Sequence, residues 1–432
     1  MTVFEQSDVR VGAPAGDSSA SLTPQQADAL VALGARMGVR IASWQGKASL
    51  RVQQFVGVAC IGDLQLEILP KLEGCAGTNA IRQNLLAMLS VTEDLELQAS
   101  DRMMFVERDE PFIAALARLY CHRLLEAVRR GLPQEYVVHH EVIARVRGKI
   151  DWPTQARLHV AQRPEFGCIF DERSENTLLN RTLKAALLQA ARLLEGVRSD
   201  RMATELRHMM ADVGDQRPSP ADVLRSRTDR MSRHLQPLLT LAKLILGNRN
   251  PDLGRSADGD RDTFALVWDM NVLFEEYVGR VCRQALRPKG FEVGLHESDA
   301  YLARDVELGR YAFLLRPDVI VLRDRKPCVV MDTKWKRLCA ERANLGVSSG
   351  DVYQVLAYCQ RFRTSMAVLV YPHTPTIGVP GVQREFETQG AGPARHRVRV
   401  VTVDLAHLED VPSQLQRGLF TESLGGACLG LS

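Results

Sequence analysis

Two aspartates and a lysine carry the most chemical information in this sequence. In the stretch RPDVIVLRDRKPCVVMDTKWK, Asp332 and Lys334 stand two residues apart in an apolar, β-branched run. On a strand, that spacing sends both side chains to one face and turns Thr333 to the other. Asp318 lies in the preceding apolar run. With Asp324, Arg325 and Lys326 as the turn, Asp318 faces Asp332, their Cβ atoms roughly 4.5–5.5 Å apart. Facing carboxylates on an apolar strand pair are destabilising unless something neutralises them. A hard divalent cation such as Mg²⁺ does so and takes phosphate and water as its remaining ligands. A lysine beside them can orient an attacking water and offset charge developing on phosphate. The implied chemistry is metal-assisted phosphodiester hydrolysis. The plainer alternative is a solvated hairpin with a scattered ion pair. That alternative suits the second Asp-x-Lys, Asp324 and Lys326, which lies in the turn.

Two helical segments flank these strands. In WDMNVLFEEYVGRVCRQAL (268 to 286), Met270, Phe274, Tyr277, Val278 and Val281 form an apolar stripe. Glu275 borders that stripe and Glu276 points away from it, so Glu275 is the better candidate to reach a metal. In VYQVLAYCQRF (352 to 362), Gln354 and Tyr358 are four apart and share a face. They could touch the lysine, a water or the DNA backbone, or form an ordinary helix flank.

The elements that must position these residues follow from periodicity. The C-terminal part reads as helix, strands at 311 to 323 and 327 to 335, helix, a strand at 366 to 372 and a late strand at 398 to 405. That order predicts a mixed sheet flanked by helices. RVQQFVGVACIG and DLQLEILPK alternate as short strands around Ile61-Gly62-Asp63, and AIRQNLLAMLSV is helical. Thr23 caps and Pro24 opens an earlier helix. Helical patterns also run over 111 to 131, 175 to 196 and about 226 to 247. The fold class is α/β, or α+β overall. The expected organisation is a flexible arm (1–22), a small α/β module (23–105), a helical region (106–250), a mixed-sheet domain (261–410) and a tail (411–432). The Gly/Asn/Asp-rich segment 247 to 262 serves as linker.

The pattern Glu, Pro-Asp, Asp-x-Lys, Gln resembles the PD-(D/E)xK nuclease superfamily. DLQLEILPKL, ARVRGKIDW, FDERSENTLLNRTLKAAL and WDMNVLFEEYV, in that order, resemble one family within it: McrC, the endonuclease subunit of the McrBC 5-methylcytosine-specific restriction system. Together they span roughly residues 40 to 405. The resemblance implies that Asp318, Asp332 and Lys334 are the catalytic set, with Glu275 and Gln354 as the helical acid and glutamine. It implies Mg²⁺ held by Asp318, Asp332 and Glu275, double-stranded DNA as substrate and a McrB-like AAA+ GTPase as partner. It also implies that 23–105 binds the partner and that 261–410 is a nuclease domain. Residues from about 23 to 250 would engage that partner's ring and stimulate GTP hydrolysis.

The rest of the sequence narrows the field. Its 432 residues are 45% hydrophobic and 25% charged, with net charge +3, which excludes fibrous and wholly disordered classes. No apolar run reaches the roughly 18–20 residues of a membrane helix, and the N-terminus lacks a signal-peptide core. The nine cysteines are scattered without a Cys-x-x-Cys pair, so a cytoplasmic location with reduced thiols is expected. Gly46-Lys47 and Gly148-Lys149 lack the rest of a phosphate loop, so GTP would bind the partner rather than this chain. GVSSG at 346 to 350 matches a serine-hydrolase elbow in letters, but a polar segment precedes it instead of a strand. His139-His140 lacks a spaced third ligand, and Trp268 and Trp335 read as packing. Two rival functions remain: a stand-alone repair or recombination nuclease, and a non-catalytic nuclease-fold activator of an NTPase ring.

Overall fold

A computed structural model describes residues 1–12, 21–97, 101, 110–194, 201–247, 263–296, 300–388 and 395–420. The N-terminal elements are β1 (Thr2–Phe4), β2 (Asp8–Arg10), α1 (Pro24–Arg36), β3 (Ala42–Trp44), β4 (Ser49–Val52), β5 (Phe55–Ile61), β6 (Leu64–Leu69) and α2 (Thr78–Thr92). Helix α1 starts where Thr23 and Pro24 place it. Thr23 Oγ1 accepts from the Gln26 amide while Gln26 Oε1 accepts from the Thr23 amide, a reciprocal cap that satisfies two end donors. The expectation of a flexible arm needs correction in part. Thr2–Phe4 pairs in parallel with β6, and Asp8–Arg10 pairs with β4. Val9 and Val11 are buried in period two, a strand signal that the Gly/Ser/Ala-rich stretch beyond it obscured. Residues 13–20 lie outside the described ones.

The middle of the chain contains α3 (Phe112–Arg130), β7 (Glu135–Ile143), β8 (Lys149–Ile150), α4 (Trp152–Val160), β9 (Phe166–Ser174), α5 (Leu178–Leu194), α6 (Arg201–Met209), α7 (Pro220–Arg225) and α8 (Gln236–Ile245). The region is not purely helical, because β7, β9 and β8 form a three-stranded sheet in that order. Strand β7 is exposed on both faces and so lacks the alternation that marks a half-buried strand. The third expected helix is shorter than 226 to 247. Pro237 sits in the first turn of α8, where its missing N–H costs nothing.

The C-terminal elements are β10 (Thr263–Asp269), α9 (Met270–Leu286), β11 (Glu292–Leu295), β12 (Tyr301–Arg304), β13 (Tyr311–Leu314), β14 (Val319–Arg323), β15 (Lys326–Thr333), α10 (Ser349–Phe362), β16 (Met366–Pro372), β17 (Gly381–Glu387), β18 (Arg397–Val403) and α11 (Val411–Leu419). Among the described residues, six strands form a mixed sheet in the order β11-β14-β15-β16-β18-β17. Strands β15, β16 and β18 are parallel, with α10 joining the first two. Parallel central strands are covered on both faces, which explains the unbroken apolar runs VVM and MAVLVY. The strand expected over 311 to 323 is two strands. Arg316-Pro317 interrupts it, since proline cannot donate to a ladder. Strand β13 pairs with β12, and β14 joins the six-stranded sheet. The expected tail begins as helix α11, whose Leu415 and Leu419 are buried; residues 421–432 lie outside the described ones.

The chain divides into two units: Met1–Phe112 with Asp262–Ser432, and Ile113–Arg261. The expected division between a 23–105 module and a 261–410 domain therefore gives way to one unit. Strand β10 pairs antiparallel with β5 from Thr263↔Ile61 to Asp269↔Phe55, and Asn84 Nδ2 donates to the Leu405 carbonyl at 2.9 Å. Pairing between strands so distant in sequence leaves no local trace. The linker expected at 247 to 262 falls outside the described residues apart from Gly247.

Candidate functional site

The β14–β15 hairpin brings the two aspartates together. Its turn is Asp324-Arg325, both left-handed with φ of 51° and 62°, the backbone of a two-residue hairpin turn. Lys326 belongs to β15 and not to the turn. A bulge between Val321 and Leu322 restores the missing residue, so Val319 pairs with Met331. Asp318, one step earlier, comes to the Asp332–Thr333 end of β15, as the three-residue turn had placed it. Thr333 departs from the strict alternation. Its backbone N–H and its hydroxyl both donate to Asp318 Oδ2, at 2.6 and 2.8 Å. Asp318 precedes β14 rather than lying in it, so its carboxylate can reach across.

Asp332 is 1% exposed. Lys334 Nζ lies 2.6 Å from Asp332 Oδ2 as an ion pair, but this buried oxygen receives no well-aligned hydrogen bond. Lys334 Nζ donates instead to Gln354 Oε1 at 3.2 Å. Gln354 Nε2 donates to Tyr358 Oη at 2.8 Å, and Tyr358 Oη donates to the Arg316 carbonyl at 3.2 Å. The two α10 residues thus tie the lysine to the segment that carries Asp318.

Helix α9 supplies the acid. Glu275 Oε1 lies 2.9 Å from His296 Nδ1, and Glu275, His296 and Asp318 each offer a ligand atom within 4.8 Å of the others. Glu276 turns to Arg280, whose Nε is 2.6 Å from its Oε1, and its other oxygen is 3.5 Å from His296 Nε2. Of the two glutamates, Glu275 is the one grouped with Asp318. Sequence reasoning missed His296. It follows β11, whose Leu295 pairs with Val319, so the next step sets His296 beside Asp318. The His296 amide donates to the Asp318 carbonyl at 3.3 Å and closes the β11–β14 ladder at the site. Recognising the short strand Glu292–Leu295 would have found it.

Burial and mutual repulsion act on these groups. Burial, and then the charge of Glu275, pushes the Asp318 carboxyl up to about 6. Burial, and then Asp318, pushes Asp332 up to about 6 as well. Burial also raises Glu275 above its ordinary value. For Lys334, burial acts downward, but Asp332 and its neighbours outweigh it and hold the ammonium above its ordinary value. Burial lifts the Tyr358 hydroxyl to about 12, so it stays a donor. The residues fit a divalent cation. Three carboxylates, the buried Asp332 and the half-buried Asp318 and Glu275, gather at the Lys334 ammonium, and that excess of negative charge is what a cation would neutralise.

The discounted signals have structural roles. Ser348 caps α10 by accepting from the Asp351 amide at 3.1 Å, so GVSSG is a helix start. His139 stacks on Phe170 within the β7–β9 pair. Trp335 Nε1 donates to Glu5, and its ring lies on Phe274. Trp268 is buried in β10 and donates to Glu93.

The family model described as McrBC 5-methylcytosine restriction system component matches residues 50–372. The chain belongs to that family. The type IV methyl-directed restriction enzyme EcoKMcrBC of Escherichia coli (strain K12) is 22% identical over 265 residues, covering 59% of this chain and 74% of that protein. Among solved structures, a half-complex of Thermococcus gammatolerans McrB AAA+ hexamers with bound McrC contains a chain of similar fold. The TM-score is 0.73 at 19% identity, over 96% of this chain and 99% of that one. A chain of the cryo-EM structure of the Thermococcus gammatolerans McrBC complex gives a TM-score of 0.51 at 22% identity, over 66% of this chain and 88% of that one. At these identities the likeness is one of fold. No described helix is long and apolar enough to cross a membrane.

Proposed function

We propose that this family member is the Mg²⁺-dependent DNA endonuclease subunit of a modification-dependent restriction system. The observation that carries the reading is the gathering of three carboxylates, Asp332, Asp318 and Glu275, with the Lys334 ammonium 2.6 Å from Asp332. Asp318, Asp332 and Glu275 would hold the cation. When bound, Mg²⁺ neutralises the carboxylates and offsets the charge of the scissile phosphate. Lys334 then turns its ammonium toward a water and toward the oxygen on which charge develops. Gln354 limits where that ammonium can go, and Tyr358 limits Gln354, so the donor is positioned before substrate arrives.

The substrate in this reading is double-stranded DNA carrying 5-methylcytosine, and the chain acts in the cytoplasm. The partner is a McrB-like AAA+ GTPase, which binds the nucleotide and is stimulated by this chain. The McrB hexamers with bound McrC support that assignment by fold likeness. In the Ile113–Arg261 unit, the large side chains of Tyr136, Val138 and Trp152 are exposed.

The test is cleavage of methylated and unmethylated plasmid with Mg²⁺ and GTP, by the chain alone and with a McrB-like partner, beside Asp332→Ala. The expected result is cleavage of methylated plasmid only with partner and GTP, lost in the variant while partner binding persists. Cutting by the chain alone would favour a stand-alone repair or recombination nuclease. Absence of cutting, with GTPase stimulation that survives Asp332→Ala, would make the chain a non-catalytic activator.

A further inference from the structure

We infer that His296 is a ligand of the cation held at this site, giving it a mixed nitrogen and oxygen donor set. The inference rests on the metal reading above and extends it to a residue outside the Asp-x-Lys pattern. His296 sits at the end of β11, and its amide donates to the Asp318 carbonyl, so the two residues are fixed side by side by sheet pairing. One ring nitrogen is 2.9 Å from Glu275 Oε1, and a ligand atom of each of Glu275, His296 and Asp318 falls within 4.8 Å of the others. A second observation points to a cation at the same place: the carboxylates of Asp332, Asp318 and Glu275 act on one another, and the Lys334 ammonium, 2.6 Å from Asp332 Oδ2, offsets only part of their charge.

The chemistry of the donors selects the probe. Mg²⁺ is hard, keeps waters and takes oxygen ligands. Mn²⁺ takes the same carboxylate and water ligands as Mg²⁺ and also binds an imidazole nitrogen, so its signal reports whether the ring is a ligand. The ring is 43% exposed, so it can turn from the glutamates toward an entering ion without a core rearrangement. A histidine that served only as a counter-ion for Glu275 and Glu276 would leave no nitrogen on the metal.

The experiment is pulsed electron paramagnetic resonance of Mn²⁺ bound to the full chain, with Mn²⁺ and Mg²⁺ affinities from titration calorimetry. Wild type, His296→Gln and Asp332→Asn are compared. The expected result is nitrogen modulation of the Mn²⁺ signal in the wild type, lost in His296→Gln. Mn²⁺ affinity should fall about 10-fold in that variant, and Mg²⁺ affinity by less. Mn²⁺ that binds the wild type, depends on Asp332 and shows no nitrogen modulation would overturn the assignment of His296 while leaving the metal reading intact. Absence of Mn²⁺ and Mg²⁺ binding to the wild type would overturn both.

Discussion

Replacing Asp332 with asparagine should destroy cleavage and yet stabilise the fold at neutral pH. The magnitude follows from the buried carboxylates. Moving a carboxyl from 3.8 to about 6 corresponds to roughly 3 kcal/mol against the charged form. Asp318 carries a similar penalty, but the two share one site, so the sum is not additive. Lys334 loses its nearest carboxylate in the variant, which returns part of the gain. A net gain of about 2 kcal/mol at pH 7.5 is expected, a rise of a few °C in melting temperature. The pH dependence has a definite sign. Both carboxyls bind protons more tightly folded than unfolded, so wild-type stability falls as pH rises from 3.8 through about 6. The advantage of Asp332→Asn should therefore be large at about pH 7.5 and small at about pH 4. Calorimetric melts in EDTA at the two pH values measure it. Added Mg²⁺ should stabilise the wild type and not the variant. A variant less stable than wild type at pH 7.5, or a gain equal at both pH values, would refute the claim that these carboxylates repel in a buried site.

Two further substitutions examine the supports of the site. Tyr358→Phe removes the hydroxyl that joins Gln354 to the Arg316 carbonyl; kcat should fall about ten-fold with KM unchanged, at a stability cost of about 1–2 kcal/mol. Steady-state cleavage by the assembled complex checks this, and an unchanged kcat would remove Tyr358 from the positioning chain. Gly57→Ala tests the pairing of the N-terminal strands with β10, which leads into α9. Gly57 has φ of 129°, and a Cβ there would overlap the Leu266 carbonyl across the β5–β10 pair. A loss of about 3 kcal/mol or more is expected, seen as a lower melting temperature for the unit that contains β15. An unchanged melt of that unit would restore an independent N-terminal module.

Much of the site could be read locally, because a hairpin brings together residues close in the chain. Asp318, Asp332 and Lys334 needed only strand alternation and a turn, and the bulge at Val321 corrected the one-residue error in that turn. The α9 wheel separated Glu275 from Glu276, and the four-residue spacing on α10 paired Gln354 with Tyr358. What resisted reading were contacts made by elements with weak local signals. Strand β11 is four residues long, which hid His296, and Asp318 precedes its strand, which lets Thr333 reach it.

The sequence by itself determined the mixed α/β character, the starts of helices such as α1 and the acidic, lysine-bearing end of the β14–β15 hairpin. These depend on side-chain period, capping and turn chemistry, all of which act over a few residues. Only the tertiary structure decided that Thr2–Phe4 is a strand, that β10 closes on β5 and that His296 stands with Glu275 and Asp318. Each depends on which distant segment supplies the partner backbone, and any apolar strand of suitable length satisfies the same local pattern.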